Sequence, residues 1–196
     1  MLIGLTGGLA SGKSRVGGWF AGRGWAVICS DQIVHNLYEP GQPLPAELAG
    51  EFGPEILTAE GRVDRQRLGE IVFQDESRLK KLNTLVHQRV RIEWKRRAAE
   101  AVQEERPTMV VIPLLYETGA EIEFKQVWVV ACSAAEQRER LHERGLDETQ
   151  IARRLAAQWP LQKKIDLAHF VIWNDGDWTL AEEQLEKLFH PMKNFL

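Results

Sequence analysis

The sequence is short of the residues that would place it in several protein classes. It has two cysteines, Cys29 and Cys132, and no C-x-x-C pair, so neither a disulfide framework nor a cysteine metal site can be built. Cysteine this sparse fits a reduced, cytoplasmic compartment. Long hydrophobic runs are missing. The longest, Met109 to Tyr116, spans eight residues and contains Pro113, too short to cross a membrane. The apolar N-terminus has no basic stretch before it, so a signal peptide is not expected. An excess of one charge is also lacking. Lys and Arg number 25 against 28 Asp and Glu, a formal net charge of −3, and no nucleic-acid footprint follows. No repeat, low-complexity tract or long linker interrupts the chain. What remains is 196 residues, 44% hydrophobic, which suits one α/β domain with excursions from it.

The sequence does contain a phosphate loop. Gly7-Gly8-Leu9-Ala10-Ser11-Gly12-Lys13-Ser14 fits G-x-x-x-x-G-K-[ST]. The apolar run Leu2 to Thr6 before it reads as a buried strand. Val16, Trp19 and Phe20 after it recur at helical spacing. Glycines let backbone N–H groups approach phosphate oxygens, and the helix start adds partial positive charge. Lys13 is expected to reach the β- and γ-phosphates, and the Ser14 hydroxyl to ligate Mg²⁺.

Further on, Gly24 to Asp31 reads as a second strand ending in a carboxylate. Ligands bind beyond the carboxyl ends of such strands, so Asp31 is expected to face the phosphate-loop crevice. It could orient an acceptor hydroxyl and take its proton, hold Mg²⁺ through water, or cap the helix from Gln32 to Leu37. Spacing leaves these open. Residues 32–105 read as helical: Leu44 to Phe52, a short helix around Leu68 to Phe73, and a long stretch from Asp75 to about Glu105 with room for a break. Leu79, Leu82, Val86, Val90 and Trp94 form its apolar stripe. His87 beside that stripe is read as a packing residue or a ligand. The basic cluster Arg89, Arg91, Lys95, Arg96 and Arg97 is read as a solvated face.

Met109–Ile112, Val127–Ala131 and Phe170–Trp173 complete five strands, and an amphipathic helix follows from about Thr179. No Asp ends the third strand. That leaves Ser14, phosphate, water, Asp31 and Glu117 as the candidate metal shell. An arginine-dense stretch between strands four and five, containing Arg138, Arg140, Arg144, Arg153 and Arg154 with Lys163 and Lys164, suits a mobile lid over a transferring phosphoryl group.

With these pieces placed, the chain resembles dephospho-coenzyme A kinases along nearly its whole length. The residues that carry the resemblance are Leu5 to Ser14, the strand ending at Asp31, Pro40-Gly41, Phe52-Gly53 with Ile56-Leu57, Gly61-Arg62-Val63-Asp64-Arg65 with Leu68, Val72-Phe73, and Leu82-Asn83 with His87. After these come Pro113-Leu114-Leu115-Tyr116-Glu117, Gln137 with Arg140 and Arg144, Arg154 with Gln158, and Asn174 with Gly176. The resemblance implies transfer of the ATP γ-phosphate to the ribose 3′-hydroxyl of dephospho-CoA, the last step of CoA synthesis. It implies an α/β P-loop kinase fold with a five-stranded parallel sheet. The single domain 1–196 would divide into a core (about 1–31, 106–133 and 166–196), a helical acceptor-binding region (32–105) and a lid (134–165).

Carried over by position, Asp31, Lys13 and Arg140 are the implied catalytic residues. Gly8, Leu9, Ala10, Ser11, Gly12, Lys13, Ser14, Arg15, Arg144, Arg154, Asn174 and Gly176 are implied to bind ATP. Thr6, Asp31, Arg65, Asn83 and His87 are implied to bind the acceptor, and Ser14 the Mg²⁺. The implied partners are dephospho-CoA and ATP, with no nucleic acid or membrane, in a monomer or weak homo-oligomer. The chain departs from the family in having Cys29-Ser30-Asp31 for the usual Asp-Ala-Asp, Ala10 for glycine, Arg15 for threonine, and Gln88 for proline. Two rivals share these features: a kinase of similar build acting on another alcohol, and a nucleotide switch without an acceptor. The switch would want a guanine-reading Asn-Lys-x-Asp, which is absent from the sequence.

Overall fold

The computed structural model describes residues 1–190; residues 191–196, the tail of the expected core range, lie outside the described residues. Strands form at the apolar, β-branched runs: β1 Leu2–Gly7, β2 Ala26–Cys29, β3 Thr108–Val111, β4 Gln126–Ala131 and β5 Phe170–Trp173. Their order in one sheet is β2-β3-β1-β4-β5. β1 pairs in parallel with β3 and β4, and β4 with β5. The strand that enters the phosphate loop is therefore central, with later strands added on either side of it.

Two compact units are present, Met1–Ile28 with Ala98 onward, and Cys29–Arg97. In the first, helix α1 (Lys13–Ala21) and a C-terminal helix (Trp178–Phe189) cover one face of the sheet. Alternation along the strands sends Ile3 and Leu5, Met109 and Val111, Trp128 and Val130, and Ile172 to that face. There they meet Phe20, whose ring lies edge-on to Trp19, Trp25 and Trp128 with centroids 4.8–5.6 Å apart. This aromatic core holds β1 and α1, the two elements that flank the phosphate loop, against each other.

The second unit is helical: α2 Ser30–Leu37, α3 Pro43–Phe52, α4 Arg65–Val72, and most of α5 Glu76–Gln103. The long helix runs without a break. Leu82, Val86, Val90 and Trp94 are buried along it, as the stripe requires. Its basic residues are more than a solvated face. Arg89 pairs with Glu47 and Lys81 with Glu51, both on α3, and Arg96 and Arg97 converge on Glu93. Hydrogen bonds from Arg96, reinforced by Arg97, draw the Glu93 carboxyl down to about 2.

Candidate active site

The phosphate loop joins β1 to α1, and its backbone is shaped from both ends. At Gly7 a Cβ would run into the Val130 carbonyl. At Gly12 (φ +101°) it would run into the Asn174 amide. Ala10 sits at φ +57°, left-handed but just accessible to an L-residue. Its Cβ is accepted because the side chain joins a small cluster with Leu141 and Ile151.

Three successive loop carbonyls are held by side chains from distant elements. Gln137 Nε2 donates to Leu9 O at 2.6 Å, Arg140 Nη1 to Ala10 O at 3.4 Å, and Asn174 Nδ2 to Ser11 O at 2.7 Å. Gln137 and Arg140 lie on a helix we number α6 (Ala134–Glu143), one turn apart, so they reach the loop together. Asn174 directly follows β5. Arg140 also donates to Asn174 O at 2.9 Å and pairs with Glu136 at 2.7 Å. Asp175 accepts from Ser133 N–H at 2.6 Å, which fixes the loop after β5 to the start of α6. Carbonyls tied on one side leave loop N–H groups, other than that of Ser11, which donates to Gly8 O, for an anion on the other.

Lys13 opens α1, and its ammonium donates to Gly7 O at 3.2 Å and Gly8 O at 2.7 Å. Ser14 follows in the first turn and is exposed. Arg15 stacks on Trp178, 4.5 Å from the ring centroid. The Ser11 hydroxyl is buried in the loop without a hydrogen-bond partner. Burial pushes the Cys132 thiol up, although Arg140 and Lys13 act in the opposite direction. Arg144 caps α6, and Arg154 is exposed on the next helix, α7 (Glu148–Ala156). Gly176 adopts φ +68° two residues after Asn174.

Three further residues of interest are placed as follows. Thr6, a candidate acceptor contact, is buried, and its hydroxyl donates to Pro113 O at 3.1 Å. Glu117, a metal candidate, has one oxygen committed to Lys164 at 2.7 Å and to Trp159 N–H at 2.8 Å. Lys164, counted in the mobile basic stretch, is fully buried. No local pattern signals these roles, because the partners lie tens of residues apart. Gln137 stands in sequence as one polar residue of the arginine-dense stretch; its hold on Leu9 O emerges from the tertiary contact.

In the second unit, β2 stops at Cys29, so Asp31 neither ends the strand nor caps the helix. Cys29 is the N-cap, and Asp31 is the second residue of α2, exposed, where its charge favours the helix dipole. The Gly61-to-Arg65 motif makes a built turn. Leu57 bridges Val63, Val63 N–H donates to Tyr38 O, and Arg62 pairs with Glu39 at 2.7 Å. Asp64 then caps α4 through the N–H groups of Gln66 and Arg67. That presents Arg65 over the Tyr38 ring, 4.9 Å from its centroid. Burial raises the Tyr38 pKa, and Arg65 partly offsets the rise. Asn83 and His87 stand one helical turn apart on α5, both with exposed edges. Desolvation of the rest of the His87 ring lowers its pKa below the usual imidazole value.

Among the described residues, no cluster of three or more His, Cys, Asp or Glu could hold a metal, and no helix is long and apolar enough to cross a membrane. A lone hydroxyl at the phosphate loop is the hard-oxygen donor that Mg²⁺ accepts when phosphates and water fill the rest of its octahedron. The residues fit that ion.

The sequence profile of dephospho-CoA kinase matches residues 1–179. The chain is 39% identical to a dephospho-CoA kinase of Gloeobacter violaceus, across 95% of this chain and 90% of that one. It is 42% identical to one of Shouchella clausii, across 90% of each. A crystal structure of the Thermus thermophilus protein TT1252 superposes with TM-score 0.79 at 31% identity, across 98% of this chain and 97% of that one. Shikimate kinase from Bacteroides thetaiotaomicron, at TM-score 0.53 and 14% identity across 98% of both chains, shares the fold alone.

Proposed function

The chain belongs to the dephospho-CoA kinase family, and we propose that it transfers the γ-phosphoryl group of ATP to the ribose 3′-hydroxyl of dephospho-CoA, giving CoA and ADP in the final step of CoA synthesis. The observation that carries the donor half is the triple hold on the Leu9, Ala10 and Ser11 carbonyls. A loop already tied into its anion-binding shape does not pay ordering entropy when the triphosphate arrives.

In this reading Lys13 exchanges the Gly7 and Gly8 carbonyls for β- and γ-phosphate oxygens. Asp31 aligns the 3′-hydroxyl and takes its proton as the new O–P bond forms and the bond to the ADP oxygen breaks. Arg140 supplies fixed positive charge beside the loop. Segment 134–165 acts as a lid that brings Arg144 and Arg154 to the nucleotide and excludes water, the competing acceptor. Asn174 to Gly176 lie under the nucleotide. Residues 32–105 take the acceptor, with Arg65, Asn83 and His87 as its contacts and Thr6 supporting the crevice floor through Pro113. Mg²⁺ would be held by Ser14, with phosphates and water, and would supply neutralisation of the phosphate charge.

A coupled ADP-release assay with ATP and Mg²⁺, with and without dephospho-CoA, tests the reading. Acceptor-dependent ADP release is expected, with CoA identified by mass. Release that ignores dephospho-CoA, or that responds instead to another alcohol, overturns it.

A further inference from the structure

Lys164 is the one charged residue in the described chain with no exposure at all. Its ammonium lies 2.7 Å from Glu117 Oε1 and donates to Pro113 O at 2.9 Å. Glu117 Oε1 accepts from Trp159 N–H as well, while Glu117 Oε2 is buried with no partner. Burying a pair of charges with incomplete hydrogen bonding carries a large desolvation penalty. An apolar pair of similar volume is commonly as stable or more so. Stability alone therefore does not account for these two residues.

What the pair does uniquely is join three points around the phosphate loop. Pro113, which follows β3 by two residues, offers one carbonyl to both Lys164 and Thr6. Thr6 is the residue directly before Gly7 of the loop. Trp159 is where the chain returns from α7 to the sheet, entering the helix α8 (Leu161–Asp166) that carries Lys164. The Trp159 ring lies parallel to Tyr116, with Lys163 over it at 3.3 Å from the centroid. The outgoing end of segment 134–165 is tied to the loop by Gln137 and Arg140. The returning end is tied to the same region through Glu117 and Lys164.

We propose that Lys164 and Glu117 are a positioning pair for phosphoryl transfer: they fix the returning root of the lid against the crevice floor, so that lid closure presents its arginines in register with the phosphate loop. The proposal rests on the kinase reading above. It predicts that geometry, not folding, fails when the pair is neutralised, and that water then gains on the acceptor.

The test compares Lys164→Met, the double variant Glu117→Gln with Lys164→Met, and Lys164→Arg. Each is followed by thermal unfolding, steady-state ADP release with ATP and dephospho-CoA, acceptor-free ADP release, and affinity for a non-hydrolysable ATP analogue. Lys164→Met leaves a buried unpaired carboxylate and is expected to lower the melting temperature. The double variant removes both charges and is expected to regain most of that loss. Its kcat should still stay at least about tenfold down, its analogue affinity should stay within about threefold, and the ratio of acceptor-free to acceptor-dependent release should rise. Lys164→Arg, which keeps charge and donors, should recover part of kcat. A double variant with restored stability and wild-type kcat overturns the proposal, as does a series in which kcat simply follows melting temperature. Wild-type protein indifferent to dephospho-CoA would instead remove the kinase reading, leaving lid positioning to be decided on acceptor-free turnover in the same variants.

Discussion

Gln137 and Asp31 sit in two contrasting settings. Gln137 is buried and acts on the chain itself, through one amide donated to Leu9 O at 2.6 Å. Gln137→Glu keeps its size and removes the donor, setting a carboxylate against a carbonyl. The phosphate loop then loses one of its three ties, and KM for ATP should rise about tenfold, roughly 1.4 kcal/mol, with KM for dephospho-CoA nearly unchanged. An equal rise for both substrates would place the residue elsewhere. Asp31 is exposed in the first turn of α2 and so can be altered without disturbing a core. Asp31→Asn should lower kcat by roughly 10²- to 10⁴-fold, with ATP affinity within about twofold. Near-normal turnover would remove it from proton transfer.

Elements carry functions that single residues do not. Helix α5 is long because its apolar stripe continues unbroken, and it is steadied by ion pairs to α3. His87 titrates on that helix. Its folded-state pKa is lowered, so the unfolded chain binds the proton more readily. Its contribution to stability is therefore complete above about pH 6.5 and is lost as pH falls through the lower folded-state value. Melting temperature should drop on acidification below about pH 6.5, and His87→Gln should flatten that part of the profile; an unchanged profile would assign the slope to other groups. The edge strand β5 shows another element-level device. Gln184, on the C-terminal helix, accepts from Trp173 N–H and donates to Trp173 O, occupying groups that another strand could pair with.

For the whole molecule, ligand binding and folding are linked. A nucleotide that binds only the folded chain at about a hundred times its Kd adds about 2.7 kcal/mol, a melting-temperature rise of roughly 5–10 °C for a chain of this size. ATP with Mg²⁺ should produce that rise, and Lys13→Ala should remove most of it while leaving the unliganded melting temperature close to wild type. A full shift in the variant would contradict the phosphate-loop assignment. The linkage is direct because the aromatic core around Phe20 holds β1 and α1, and the nucleotide loop is the connection between them.

By itself the sequence determined everything that depends on neighbours along the chain. The phosphate loop is eight contiguous residues, five strands announce themselves as apolar runs, and the stripe from Leu79 to Trp94 sets the long helix. Strand and helix periodicities are local, so local reading suffices. The sequence places a carboxylate near the end of β2 but not its element, because one residue decides whether Asp31 ends a strand or enters a helix. Only the tertiary structure decided which polar side chains face inward. Gln137 lies 128 residues from Leu9, Asn174 163 from Ser11, and Lys164 51 from Pro113. An exposed lysine and a fully buried one look the same in sequence. What separates them is a carboxylate at position 117, brought within 2.7 Å when the segment that follows β3 meets α8. Parallel strands can be neighbours only through long crossovers, so the contacts that hold the phosphate loop must come from far along the chain.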